Sequence, residues 1–253
     1  MERWLPAAIL LASLALWEVA ARLDWISALF FPPPSEIVRV LLRMIGSTEF
    51  WSSLGSTLFR MTAGIALGGG TGLLLGWLMG TSRPLRIALD PIVAALHPLP
   101  KLAIFPIFLV LLGIGEASKV ALVALTAFFP MLINALAGVQ QIDHTYWEAA
   151  TNYGARGWTL LRRVILPGSL PMVIVGLRLA VNSALVVTIA VEMLSAREGL
   201  GATIWLAWQT LRTEGLYATL IVIGLLGLLI NALLASITRR LLPWQANVAS
   251  GIQ

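Results

Sequence analysis

In a chain of 253 residues with only 11% charged residues, one stretch concentrates polar chemistry: WEAATNYGARGWTLLRRVILP, Trp147 to Pro167, with Glu148, Arg156, Arg162 and Arg163. The chemistry on offer is contact rather than reaction. No nucleophile elbow, phosphate-binding Walker loop or paired-carboxylate site occurs in the sequence. His97 and His144 stand in different segments, so they give no metal-ligand spacing. The absence of cysteine removes disulfides, thiol nucleophiles and Cys-based metal sites. The chain reads as a non-enzyme that hydrolyses no ATP and binds no cofactor itself.

The pattern of this stretch predicts two short helices joined at a bend. Thr145 and Glu148 form a Thr-x-x-Glu capping box that starts the first. Tyr146, Ala149, Ala150 and Tyr153 then share one face, small at the centre and aromatic at the edges. Gly154 suits the left-handed position that ends a helix. A second piece begins at Trp158, carries Arg162 and Arg163, and is expected to stop at Pro167. An ordinary solvated connector is the alternative, but it needs neither a small-residue centre nor aromatics around it. A docking surface uses both.

The remainder must hold this loop in a membrane. The chain is 58% hydrophobic, far more than a soluble domain of its length can hide. Six hydrophobic segments, about 4–23, 59–81, 86–114, 117–141, 168–194 and 216–240, read as spans. Val19-Ala20-Ala21 resembles a signal cleavage site, but Glu18 and a weak positive n-region favour an uncleaved first span. Pro98, Pro100 and Pro106 break the third segment, which should therefore pack within protein or line a cavity. Ser35 is expected to cap a surface helix with Ile37, Val38, Leu41 and Leu42 inward, and Arg39 and Arg43 outward. Gly64, Gly68, Gly72, Gly76 and Gly80 lay a smooth stripe on the second span. The stripe suits packing within one subunit, with a hinge or dimer seam as alternatives. The net charge of +5 fits Arg-flanked spans better than nucleic acid. Arginine bias favours both termini, and residues 142–167, in the cytoplasm.

Ionisable and polar residues inside spans are functional candidates. Arg178 and Glu192 fall within roughly 40° around the fifth span but about 21 Å apart along it, so each needs another partner. Arg178 could brace the loop, and Glu192 could form an outer gate. Asn182, Ser183 and Thr188 could line a path or serve as interhelical glue. Lys101, in the broken segment, could attract an anion or snorkel. Glu18 is expected to be interfacial or paired.

Glu148-Ala149-Ala150, three residues, Gly154, nine residues, then Val164-Ile165-Leu166-Pro167 resembles the EAA loop of ABC importer permeases, with Val164 in place of the usual Ile. The resemblance runs over about 55–245, through PLPKLAIFPIFLVLLGIGEASKV, LPGSLPMVIVGLRLAV, VEMLSAREGLG and GLLGLLINALLASITRRLLPW. It is similar to the nitrate/sulfonate/taurine-type permeases of the type I fold, except that Asn231 stands where an acidic residue is expected. The resemblance implies an all-α polytopic fold of about six transmembrane helices with a cytoplasmic coupling helix. It divides the chain into 1–54, a core at 55–245 with the loop at 142–167, and a tail at 246–253. It also implies an inner-membrane importer subunit for small polar anions. The implied partners are a second permease in a homodimer, two cytoplasmic ATPases carrying ATP and Mg, an external solute-binding protein and membrane lipid, with no nucleic acid. Glu148, Ala149, Ala150, Gly154, Val164, Leu166 and Pro167 would couple to the ATPase. A secondary transporter or channel without an ATPase is the rival reading, with a membrane-embedded enzyme third.

Overall fold

The computed structural model describes residues 5–242, and among these the regular structure is helical. The expected 246–253 tail lies outside the described residues. In order, the helices are α1 (Leu5–Arg22), α2 (Pro34–Ile45), α3 (Thr48–Thr81), α4 (Arg83–Leu96), α5 (Phe105–Leu112), α6 (Glu116–Gln140), α7 (His144–Asn152), α8 (Trp158–Ser195), α9 (Leu200–Gln209) and α10 (Thr213–Leu241). Four of them, α3, α6, α8 and α10, are long and apolar enough to cross a membrane. The pair Arg83–Leu96 and Lys101–Leu112, bent by 91°, makes a fifth if it is one span. The first of the six expected segments corresponds to α1, whose described part is 18 residues long, within the length range of a membrane-crossing helix.

The chain clusters into two compact units, one from residues 1–57 and 192–226, the other from 58–191 and 227–253. In the second, the glycine stripe of α3 packs on α6. A Cβ at Gly64 would meet Val123, at Gly68 the Ala124 carbonyl, at Gly72 the Phe128 carbonyl, at Gly76 the Leu132 carbonyl and at Gly80 Val139. Residues 64–80 of α3 thus track residues 123–139 of α6 in the same direction. Two parallel spans require the chain between them to cross back. The bent α4–α5 pair therefore acts as one traverse, and the C-terminal ends of α3 and α6 lie on the same side of the membrane. Of the three prolines expected to break it, Pro98 and Pro100 lie at the bend, whereas Pro106 occupies the first turn of α5, where a missing N–H costs nothing.

Within the first unit, Ser35 does not cap α2. Pro33 holds the N-cap position without a side-chain bond. Ser35 sits at the second helical position, and its N–H (3.0 Å) and hydroxyl (2.8 Å) both donate to the Glu18 carboxylate. Glu18, also held by Arg22 at 2.5 Å, thus supplies the cap from α1, because a carboxylate at a helix N-terminus satisfies orphan N–H groups and the dipole together. On α2, Ile37 is buried and Leu41 half-buried, while Val38 and Leu42 are exposed with Arg39 and Arg43. Two of the four expected inward residues thus lie outside the buried face.

Candidate functional site

The 142–167 loop is built as a capped helix followed by a glycine bend, with two changes from expectation. Asp143, not Thr145, is the N-cap of α7: it holds φ −55°, ψ 137°, and its carboxylate accepts the Thr145 N–H at 2.8 Å. Bonds from Thr145 hold the Asp143 carboxyl below its ordinary value. Asp and Thr are both capable caps, and the carboxylate, two residues earlier, is the one aligned with the free N–H. Glu148, freed from the capping box, reaches His144 at 3.2 Å one turn back.

The second change is at Pro167, which does not stop the second helix. A π turn at Leu161–Ile165 carries α8 without a break from Trp158 to Ser195. The wider turn passes the Leu166 N–H to the Leu161 carbonyl, five residues back, and relieves the clash a proline makes inside an ordinary α-turn.

Gly154 follows α7 at φ +76°, the left-handed conformation expected there. Gly154→Ala should cost about 1–2 kcal/mol of local helix stability, read as faster amide exchange across α7 with the spans unaffected. Tyr146, Ala149 and Tyr153 are exposed on α7, Tyr153 at 93%, with Ala150 half-buried beside them. Tyr146 also lines a cavity of about 410 Å³ with Val164 and Pro167, so α7 and the start of α8 share one cavity. Leu166 is exposed next to it.

In-span candidates in the second unit separate by environment. Lys101 donates to the His97 carbonyl and lies 5.4 Å over the Phe129 ring, so its charge is already engaged. Thr188 is fully buried and its hydroxyl has no hydrogen-bond partner among the described residues. Ser183 is half-buried and Asn182 exposed. The Asn231 amide N–H group donates to the Asn182 side-chain carbonyl at 3.1 Å and to the Gly227 carbonyl at 2.9 Å. Asn231 therefore has an assigned partner, and it is one that an acidic residue could not donate to. Arg178 is exposed, and no hydrogen bond or ion pair holds it among the described residues. The expected brace to the loop is absent there. A cluster that sequence reading missed lies at the start of α6, where Arg60 grips Glu116 with two bonds (2.6 and 2.8 Å) and Lys119 joins at 3.0 Å.

Glu192, in the first unit, is fully buried. Its carboxyl accepts the Thr57 hydroxyl at 3.0 Å and the Gly201 N–H at 2.9 Å, while Thr57 accepts the Leu200 N–H at 2.9 Å. Two orphan N–H groups at the start of α9 are thereby satisfied. Gly199, at φ +126°, lies against the same carboxyl, and a Cβ there would come within 2.4 Å of it. Glycines in the SAREGLG run were the available signal. Thr57 had none, since its partner is 135 residues away.

Residues 72–246 match the family described as "Binding-protein-dependent transport system inner membrane component". The taurine transport system permease protein TauC of Escherichia coli (strain K12) is 35% identical over 93% of this chain and 87% of its own length. The formylaminopyrimidine transport permease protein ThiX of Halalkalibacterium halodurans is 32% identical over 95% of each. Among solved structures, a chain of a bacterial alginate ABC transporter, crystallised with an alginate pentasaccharide-bound periplasmic protein, superposes with a TM-score of 0.66. It covers 94% of this chain and 95% of its own at 18% identity, which speaks for the fold. With a family match over well over half its length and relatives above 30% identity along nearly all of it, this chain belongs to the inner-membrane permease components of binding-protein-dependent ABC importers.

Proposed function

We propose that this permease imports small polar anions of the sulfonate or taurine class, driven by two cytoplasmic ATPase subunits that dock on the 142–167 loop. The observation that carries the reading is the exposed Tyr146–Ala149–Tyr153 face of α7, on a helix fixed at its start by Asp143 and at its end by Gly154. A solvent-facing aromatic pair around small residues is a contact surface awaiting a partner. Val164, Leu166 and Pro167 lie at the start of α8, so force on α7 passes into a 38-residue helix. ATP and Mg belong to the partner subunits. The solute class follows from similarity to a taurine permease.

The orientation follows from charge. The C-terminal ends of α3 and α6 share one side, which collects Arg83, Arg86, Arg156, Arg162 and Arg163. By the positive-inside rule that side is cytoplasmic. A second permease copy would complete the pathway, with the solute-binding protein on the opposite face.

Reconstituted with the ATPase from its own genomic neighbourhood, the native chain should stimulate ATP hydrolysis when the loaded binding protein is added. Ala149→Arg, which places a charge in the middle of the docking face, should abolish co-purification of the ATPase. Stimulation unaffected by Ala149→Arg, or uptake that persists without ATP and collapses with an uncoupler, would sink the reading.

A further inference from the structure

We propose that the groove between the end of α3 and the start of α8 holds an anionic phospholipid, its acyl chain along the groove and its phosphate against Arg83 and Arg156. Which leaflet this is rests on the charge-based orientation above, and the lipid class is independent of the solute.

The groove is a cavity of about 400 Å³ lined by Leu74, Trp77, Leu78 and Thr81 of α3, by Leu161 of α8 and by Gly157 just before it. Its two polar side chains are already spent. The Trp77 ring N–H donates to the Ser169 hydroxyl at 3.0 Å, and the Thr81 hydroxyl donates to the Trp77 and Leu78 carbonyls at 3.0 and 3.2 Å. The wall therefore offers a hydrocarbon surface and no free donor to a polar solute. Leu74 stands seven residues before Thr81, where the span ends, so the groove runs about 10 Å into the hydrocarbon layer. A water-soluble subunit would have to enter lipid to fill it, whereas an acyl chain lies at that depth already.

The end of the groove is basic. Arg83 follows Thr81 by two residues, Arg156 precedes Gly157, and Arg162 follows Leu161. All three are exposed, and among the described residues none of their guanidinium groups has an ion pair or hydrogen bond. No acidic residue occurs between Thr81 and Leu89 or between Tyr153 and Pro167. The occupant must bring the negative charge itself. Trp158, 73% exposed beside them, is the residue type that settles at headgroup level. Guanidinium groups bind phosphate oxygens in pairs, and basic pockets between spans on the cytoplasmic side suit anionic headgroups. An apolar groove ending in unneutralised arginines fits one molecule that joins a hydrocarbon chain to a net negative headgroup.

The chain has no cysteine, so Thr81→Cys carries a single bimane label at the groove. The labelled full-length permease, with its ATPase bound, is placed in bilayers of phosphatidylglycerol and phosphatidylcholine. One lipid or the other is brominated near the top of its acyl chains, and quenching reads which lipid sits there. The anionic lipid should associate at Thr81 about fivefold or more above the zwitterionic one, the effect of one surface arginine or more. Arg83→Gln with Arg156→Gln should bring the ratio to about one, and the same pair changed to Lys should keep it. A label at Leu67→Cys, exposed on α3 about 21 Å away along the helix, should show no preference in any variant and reports that the Gln pair is folded. Equal association of both lipids at Thr81, or a preference that the Gln pair retains, overturns the site. So does a label that neither lipid quenches, or a Thr81→Cys disulfide between two permease copies, because protein then covers the groove. An ATPase that fails to co-purify overturns the docking reading instead, and the quenching is then read on the permease alone.

Discussion

Gly68→Val is expected to leave almost no folded protein. A single Cβ at Gly68 would sit 1.8 Å from the Ala124 carbonyl oxygen, with the Ala124 carbonyl carbon at 2.4 Å. Both are backbone atoms of α6, so no rotamer change relieves the clash. The helices must move apart, and contacts along the rest of the stripe are lost with them. Overpacking by a methyl or two typically costs 1–3 kcal/mol, occasionally more, and a rigid backbone obstacle belongs at the upper end. The loss is large because lipid gives helices no hydrophobic drive to re-associate at a greater distance. Gly70 supplies the control: a Cβ there meets nothing within 4 Å. Gly70→Ala should match the native chain in detergent-solubilised yield and thermal midpoint, while Gly68→Val falls out of solution. Equal yields for both would overturn the packing account.

Glu192→Ala should be the next most damaging change. It removes the acceptor for the Thr57 hydroxyl and the Gly201 N–H in a site from which solvent is excluded. Leaving buried donors unpaired and opening a cavity should cost about 3 kcal/mol or more. Thr57→Val keeps the volume, yet it orphans the Leu200 N–H and should cost less, about 1–2 kcal/mol. Hydrogen exchange should show the effect first at Leu200 and Gly201, since these amides open the start of α9. Protection at those two amides that is unchanged in Glu192→Ala would contradict the network. The position expected to serve as an outer gate is thus a buried tie, and any gating at Glu192 would act through the Gly199–Gly201 turn that rests on it.

The 142–167 loop and the Glu192 tie illustrate what a sequence can carry. Hydropathy placed the long spans because a lipid-facing helix needs an apolar residue at nearly every position, a property written locally. The loop was legible for the same reason: a cap, a small-residue face and a left-handed glycine are all signals between near neighbours. Where two nearby residues could each serve, sequence could not choose. Thr145 and Asp143 are both good caps, and the backbone angles at Asp143 decided. Pro167 has the sequence signature of a stop, and the π turn that accommodates it leaves no mark in residue type.

What the sequence by itself determined, then, is the class of protein, the long apolar segments, the local build of the 142–167 loop and the small-residue stripe. The tertiary structure decided which helix the stripe meets, and in which direction. From that came the single traverse of the bent pair. It also decided the partners of the polar groups: Glu192 with Thr57, Glu18 with Ser35, Asn231 with Asn182, and Arg60 with Glu116. The physical reason is the same in each case. A hydrogen bond or ion pair is made with whatever packing brings within about 3 Å, and packing joins residues separated by 17 to 135 positions through a geometry that no local spacing encodes.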